Sequence, residues 1–466
     1  MGLREACFKQ SVKITIFHTF ARRRFYMQLH EKTKNFILQF LTGYEDENLF
    51  RGFRIGYTAD RELFPRYDLV FVPSGFFEAD HYGTEASIPV GALPEIEGVP
   101  FLYGEDRVEK EGNTVVVYAD LVATTFFFLS RYEEICRPQV RDKHGRFPGK
   151  ESLLYRNGLM DRPILDEYTL LVQRWLRTAG VDVPSLPERI AKVWLTHDVD
   201  APFFGKSLRA FCREVSQGTS WGMAWRLWRQ NREEDPYYTF PRMAELDQAC
   251  RERAAFPVQT VYFLKGGGES PYDKPVYKLK RKGLGRLIEF LSNQNITFGL
   301  HGSYSSGAKR ADLCEKREVE QAVGKRVFFF RNHFLRSCEP SHLASLENIG
   351  ITDDFTMGYA DVAGFRLATT RPAIWINPAT GRLSRLVLHP LSVMDATLAD
   401  PRYMGMDAES AREYCISLFH TIRRYGGEVC LLWHNTSFVQ SAYPANPAPW
   451  LRDLYAYLLE DLCSLS

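Results

Sequence analysis

The sequence predicts an α/β protein whose larger, carboxyl-terminal part is a parallel sheet wrapped by helices. Three observations carry this expectation. Apolar runs of strand length recur from about residue 190 onward, helical segments lie between most of them, and the runs end in polar, chemically capable residues. Strands that alternate with helices favour parallel pairing. Seven such runs of similar length could close into a (β/α) barrel, where functional groups gather at the carboxyl ends of the strands because the connecting loops converge there.

In chain order the runs are Val193-Trp194-Leu195 before His197-Asp198, Val258 to Leu264 before Lys265, and Ile296 to Leu300 before His301. Val327 to Phe330 precedes Arg331-Asn332-His333, and Ile351 precedes Asp353-Asp354. Leu386-Val387-Leu388 precedes His389, and Val429 to Trp433 precedes His434-Asn435. Helices are expected over Pro241 to Arg253, Arg286 to Ser292 and Ala411 to Arg424. The last stops at Gly426-Gly427, where glycine readily takes a left-handed cap. Five of the eleven histidines (197, 301, 333, 389 and 434) thereby fall at strand ends, and the Phe triplet 328–330 reads as core.

The texture changes at Val183-Pro184-Ser185-Leu186-Pro187, which reads as a linker. The boundary is placed there, giving an N-terminal domain over 1–186 and the sheet domain over 187–466. A strand-like Asp68 to Val72 and a Phe-rich helical stretch from Ala119 to Glu134 suggest that the first domain is a smaller α/β unit, whose chemistry the sequence does not reveal. Met27 precedes an amphipathic stretch and is an alternative start.

Bulk properties exclude several classes. With 59 Lys plus Arg against 57 Asp plus Glu, the net charge of +2 gives no global field that would recruit nucleic acid. Arg22-Arg23-Arg24 is a short basic run that reads as solvated surface. The stretch from Val12 to Phe20 is too short and too polar to span a bilayer, so no transmembrane segment is expected. Nine cysteines without CxxC spacing argue against a disulfide framework and for a reducing, cytoplasmic setting. Gly266-Gly267-Gly268 fits no phosphate-binding fingerprint and reads as a mobile lid. No Gly-x-Ser-x-Gly elbow appears, which disfavours covalent acyl transfer.

The chemistry centres on Thr196-His197-Asp198-Val199-Asp200. Residues two apart on a strand share a face, so Asp198 and Asp200 look into one space while His197 looks away. Two carboxylates in one space repel unless a cation lies between them or one is protonated. A metal would make Asp200 an anionic ligand and leave Asp198 to take a proton from water that the ion has acidified. The alternative is that both acids cap the helix after Pro202 or pair with arginines. His301, with glycine beside it at the third strand end, is placed to ligate the same ion. Arg331 is placed to orient a carboxylate, or merely to neutralise the acids. His434 is placed to protonate a leaving group, or is a histidine held by its loop. Asp354 and Arg366 could support the site or form a structural ion pair, and His389 and Asp395 are rim residues with no assigned task.

The ordered set Thr-His-Asp-Val-Asp, Leu-His-Gly-Ser-Tyr, Arg-Asn-His-Phe and Leu-Trp-His-Asn resembles the polysaccharide deacetylase superfamily (NodB homology, carbohydrate esterase family 4). The likeness covers roughly residues 190–440 and is nearest to a divergent bacterial branch with an extra N-terminal domain. Phe126 to Glu134 and Asp142 to Phe147 add to it. The resemblance implies a distorted (β/α)₇ barrel that removes acetyl or related acyl groups from amino sugars with zinc or a similar divalent ion. By motif, Asp198 resembles the catalytic base, Asp200 the metal aspartate, His301 the first metal histidine, Arg331 the brace of the base and His434 the general acid. The superfamily carries a second histidine four residues after the first, and Ser305 stands there. A hydroxyl is a poor zinc ligand beside imidazole, so another group such as His333 completes the set, or water does, or the metal binds weakly. The expected function is hydrolysis of an acyl group, N-acetyl first, from a sugar of a polysaccharide or its precursor. Two other outcomes remain open: a catalytically silent glycan-binding or scaffolding module in polysaccharide synthesis, and an amidase on another C–N bond.

Overall fold

The computed structural model describes residues 27, 29–204, 208–216, 218–280, 282–306, 309–337, 341–440 and 446–465. The early apolar stretch and the arginine triplet lie outside these residues. The chain divides into two compact units. The first comprises 1–139, 168–183 and 376–383, and the second 140–167, 184–375 and 384–466. One crossing runs from Val183 to Pro184. The chain nevertheless crosses more than once: residues 140–167, expected with the first domain, belong to the second unit.

In the first unit a four-stranded sheet is built from β1 (Ile55–Tyr57), β2 (Leu69–Phe71), β5 (Gly104–Glu111) and β6 (Thr114–Ala119), beside a small ribbon of β3 (Glu95–Ile96) and β4 (Val99–Pro100). The sheet order is β1-β2-β6-β5, with β5 antiparallel to β6 and the others parallel. The Phe-rich stretch forms two helices, Leu121–Leu129 and Tyr132–Cys136. Every residue of the first is buried, which explains its lack of a polar face.

The second unit holds β7 (Lys192–Val199), β8 (Val258–Lys265), β9 (Thr297–Gly302), β10 (Phe329–Asn332), β11 (Asp353–Met357), β14 (Val393–Met394) and β15 (Glu428–Leu432), together with most of β12 (Ala373–Asn377) and β13 (Arg382–Pro390), whose residues between 376 and 383 are assigned to the first unit. They form one curled sheet in the order β12-β13-β11-β10-β9-β8-β7-β15-β14. From β13 to β14 every pairing is parallel, as helix-connected strands require. β13 and β14 stand far apart in that order yet are separated by two residues. Leu391 donates its amide to Met357 O on β11, and Ser392 donates to Cys430 O on β15. One extended segment thus changes partners across the open side of the sheet.

The expected helices are present as Phe240–Arg253, Lys282–Ser292 and Ala408–Tyr425, the last capped by Gly426 at φ 69°. Apolar side chains from both surfaces of the sheet are buried, against helices on one side and within the curl on the other. Two expectations are corrected. Phe328 is 45% exposed, so only the end of the Phe triplet is core. Asp353-Asp354 does not end a strand but begins one, because Phe355-Thr356-Met357 carries the strand onward.

Candidate metal centre

The site assembles where β7, β9 and β10 end. Asp198 is the penultimate residue of β7 and Asp200 follows the strand; His301 lies on β9, Arg331 on β10, and His333 immediately after β10. Register places Arg331 beside His301 and Lys265 beside His301 across the parallel pairs. The strands therefore bring their carboxyl ends level, and side chains far apart in sequence converge.

Asp200 Oδ1 lies 3.2 Å from His301 Nε2 and 3.2 Å from His333 Nε2. Asp198 Oδ2 is 3.6 Å from His301 Nε2, and His434 Nε2 is 3.7 Å from Asp200 Oδ2. The two imidazole rings of His301 and His333 meet edge to face at 5.1 Å between centroids. One donor atom from each of Asp200, His301 and His333 lies within 4.8 Å of the other two.

The far side of each ring is fixed. His301 Nδ1 is 3.1 Å from the Arg331 carbonyl, which can only accept, so this nitrogen carries a hydrogen and Nε2 is the atom turned to the cluster. His333 Nδ1 is 3.2 Å from Asp273 Oδ1. Asp273 is itself held by the amides of Tyr304 (2.6 Å) and Ser270 (3.1 Å). A histidine that donates from one nitrogen to a carboxylate or carbonyl and points the other at a common centre is the usual arrangement behind a metal ligand. Asp200 Oδ1 and His301 Nε2 are buried and have no well-directed hydrogen-bond partner. Leaving such atoms unsatisfied is costly.

Nitrogen and oxygen donors in this number suit zinc and related divalent ions. Bonds of about 2.0–2.1 Å in a tetrahedral shell put neighbouring donors roughly 3.3 Å apart, close to the two 3.2 Å separations here. The residues fit a divalent cation.

Electrostatics agree. Burial opposes a charge on Asp200, but His333 and His301 outweigh it and hold the carboxyl well below the usual range. Burial likewise opposes a charge on His333, yet Asp200 and then Asp273 lift it to about 9. A cation at the shared point would displace those protons.

Asp198 is braced on its other oxygen. The fully buried Arg331 donates from Nη1 to Asp198 Oδ1 (3.1 Å) and to Thr196 Oγ1 (2.7 Å), and from Nε to the Phe355 carbonyl (2.9 Å). This leaves Oδ2 turned toward the cluster. His434 faces Asp200 with Nε2 while Nδ1 is 2.8 Å from Asp395 Oδ1. Asp395 Oδ2 accepts the His434 amide at 2.8 Å and the Ser437 hydroxyl at 2.5 Å. Burial works against protonation of His434, but Asp395, Asp200 and Asp198 raise it to about 10.

The structure therefore brings Asp198, Asp200, His301, Arg331, His333 and His434 together. Ser305 is exposed in the turn after β9, and the second imidazole of the cluster is that of His333, immediately after β10. Asp354 sits at the start of β11, where it accepts from Thr356 Oγ1 at 2.5 Å, and Arg366 donates to the Gly358 carbonyl at 2.8 Å and lies over the Tyr359 ring. His389 is not on this rim. It lies 2.9 Å from both Asp353 and Glu428, the first residues of β11 and β15, at the opposite end of the sheet. β13 overshoots its neighbour: Val387 pairs with Asp353, so His389 is only two residues beyond that strand's amino end. His197 also looks away, to Asp247 and to the Trp433 carbonyl, both at 3.0 Å.

Sequence reasoning missed Asp273 and left Asp395 without a task. The glycine run gave a signal that went unread as such. A Cβ on Gly268, at φ 122°, would meet Asp273 at 2.6 Å, and one on Gly266 would meet the Glu315 carbonyl at 2.1 Å. The run is packed against the carboxylate that holds His333, so a mobile lid is the wrong description.

Comparison with known proteins gives the following. Residues 12–180 match the model of a family of unknown function, DUF7033. No curated protein matches the chain. Among solved structures, a Mycobacterium smegmatis protein assigned as a polysaccharide deacetylase is 17% identical with a TM-score of 0.38, over 59% of this chain and 86% of that one. Puue allantoinase is 12% identical with a TM-score of 0.34, over 60% and 88%. BA3943 of Bacillus anthracis, a CE4 family pseudoenzyme, is 10% identical with a TM-score of 0.29, over 61% and 66%.

Proposed function

We propose that the second unit is a divalent-metal hydrolase that removes an acyl group, N-acetyl first, from a sugar of a polysaccharide or its precursor. The motifs that resemble the polysaccharide deacetylase superfamily and the geometry of their side chains support the same reading. The observation that carries it is Asp200 Oδ1 standing 3.2 Å from two Nε2 atoms, His301's and His333's, whose rings are fixed from behind. The barrel reading, a distorted (β/α)₇ ring over about 187–466, draws support from the segment β13–β14, which pairs with β11 and then with β15.

In this reading Asp200, His301 and His333 would hold the ion. Bound there, the ion would supply a Lewis acid that polarises the acyl carbonyl and acidifies water. Asp198 takes a proton from the attacking water through Oδ2, because Arg331 occupies Oδ1 and keeps the carboxylate oriented. His434 delivers a proton from Nε2 to the departing amine, and Asp395 fixes its tautomer and holds it cationic. Both tasks lie on groups that border the Asp200 cluster, Asp198 beside His301 and His434 beside Asp200.

Acetate release from N-acetylglucosamine oligomers, measured with zinc, cobalt or nickel added, tests this. Asp198→Asn should lower turnover by about 10³-fold, within the range of general-base contributions, with circular dichroism unchanged. Full activity in that variant would remove Asp198 from the role. A wild-type protein that binds the metal and the oligomer without turnover would instead make the unit a glycan-binding module.

A further inference from the structure

Between β7 and β8 the chain makes an excursion of unusual composition. From Ala201 to Tyr237 it carries six cationic residues (Lys206, Arg209, Arg213, Arg226, Arg229 and Arg232) against four acids (Glu214, Glu233, Glu234 and Asp235), every cation lying ahead of the Glu233-Glu234-Asp235 run, and three of the eight tryptophans. Two helices, Leu208–Ser216 and Trp221–Arg229, form this excursion. In the second helix only Ala224 and Leu227 are buried. Trp221, Trp225 and Trp228, spaced four and three apart, share a stripe and remain 61%, 37% and 36% exposed. Phe211 of the first helix sits 6.1–6.3 Å from each of these three rings. Trp221 and Trp225 stack at 5.2 Å, and the Arg229 guanidinium lies 5.6 Å over Trp225. Arg226 and Arg229 are exposed beside the aromatic stripe.

A soluble face is seldom built this way. Three clustered tryptophans forgo burial although the adjacent apolar side of the same helix packs inward, and that helix carries two arginines and no acid, with Glu234 lining the groove beside Trp225, Arg226 and Arg229. Indole rings favour the boundary of a bilayer, where the ring meets acyl chains and the N–H meets headgroups. Flanking arginines add attraction to anionic lipid and can reach back to the headgroup level. The charge bias is local, because the whole chain is near neutral at +2. Complementarity therefore selects an anionic lipid surface over a neutral one or an acidic-poor protein face.

The root of the excursion lies at the rim of the metal centre. Asn435, next to His434, donates from Nδ2 to the carbonyls of Ala201 (3.0 Å) and Tyr237 (2.8 Å), which bracket the two helices. We infer that the helical hairpin Leu208–Arg229 docks on an anionic membrane surface through Trp221, Trp225 and Trp228 with Arg226 and Arg229, and so presents the carboxyl-end site to that surface. The docking is peripheral: among the described residues no helix is long and apolar enough to cross a membrane. It holds whether or not the site hydrolyses sugars.

Co-sedimentation of the full chain with vesicles tests the inference. Vesicles of equal parts phosphatidylcholine and phosphatidylglycerol should bind it about tenfold or more tightly than phosphatidylcholine alone, with binding weakened by salt. R226E/R229E should lose the preference for anionic lipid by about tenfold. Because a variant can misfold, the unaltered chain supplies a second measurement. Lipids brominated on the acyl chain should quench tryptophan fluorescence, and the quenched rings should be those of the hairpin, since Trp175, Trp194, Trp375 and Trp433 are no more than 4% exposed and the quenching should persist in W450F, which removes the one half-buried ring outside the hairpin. Equal partition to both vesicle types, or no quenching, overturns the inference. So does a tight dimer in solution that R226E/R229E dissolves, which would make a second copy the occupant of this face.

Discussion

The two ends of the curled sheet each bind histidine to acid, and they do so for opposite ends. At the amino end, His389 lies 2.9 Å from Asp353 with Nε2 and 2.9 Å from Glu428 with Nδ1, and its ring stacks on Phe355 at 4.3 Å. Both nitrogens are consumed by one carboxylate each. At the carboxyl end, His301 and His333 spend only Nδ1 on fixed partners, and their two Nε2 atoms crowd a single oxygen of Asp200. A satisfied imidazole ties strands together. Two imidazoles converging on one oxygen leave an arrangement that a cation would fit. The difference is one of hydrogen-bond accounting, since residue types and burial are alike at both ends.

Calorimetric titration with zinc should separate the ends most sharply. His301→Ala or His333→Ala should abolish binding, whereas His389→Ala should leave it intact; zinc affinity kept in both ligand variants would erase the contrast. Next in size is stability. His389→Ala takes the imidazole from both Asp353 and Glu428, which keep Thr352 and Trp194 as partners, and should cost about 3 kcal/mol in urea unfolding, the low end of the scale for breaking a buried ion pair. Burial alone would lower the His389 pKa, but Asp353 and Glu428 raise it above its ordinary value of 6.5. Its contribution is therefore complete below about pH 6.5 and fades as pH climbs through the raised folded value. The gap between wild type and His389→Ala should narrow above neutrality, and a gap that widens there would reverse the assignment.

A smaller effect is expected behind the ligand shell. Asp273→Ala releases the His333 ring and should weaken zinc binding by roughly 10–100-fold, against little change for an acid of the same size elsewhere on the rim. Ser305→His should matter least. That side chain is exposed and His333 already supplies the second imidazole, so stability should stay within about 0.5 kcal/mol and zinc affinity near that of the wild type. A large gain in affinity would show that the set with Ser305 is incomplete.

Much of the site could be read from spacing. Asp198 and Asp200 share a face because strand side chains alternate, and His301 and Arg331 follow apolar runs that end level with them. His333 was one of several candidates to complete the set, since nothing in a single chain says which of two neighbouring strand ends reaches inward. Asp273 lies on a loop with no periodicity, and only coordinates could place it behind His333. Asp353-Asp354 and His389 were assigned to the wrong end because an apolar run gives a strand's presence better than its limits. Ile351 precedes β11 rather than ending it, and β13 is displaced against its neighbour. The division of the chain was harder still. A linker marks the crossing at Val183, but no local composition announces that residues 140–167 pack with the second unit.

The stretch from Arg382 to Met394 leaves one neighbour for another at Leu391-Ser392, and Asp395 is the next residue. The stitch that draws the sheet's margins together therefore also delivers the acid that aims His434. No slack loop intervenes between the seam and the residue that holds His434. Any loosening of that seam should misalign the imidazole before it unfolds anything, and the ring's aim serves as a gauge of how firmly the sheet's margins are drawn together.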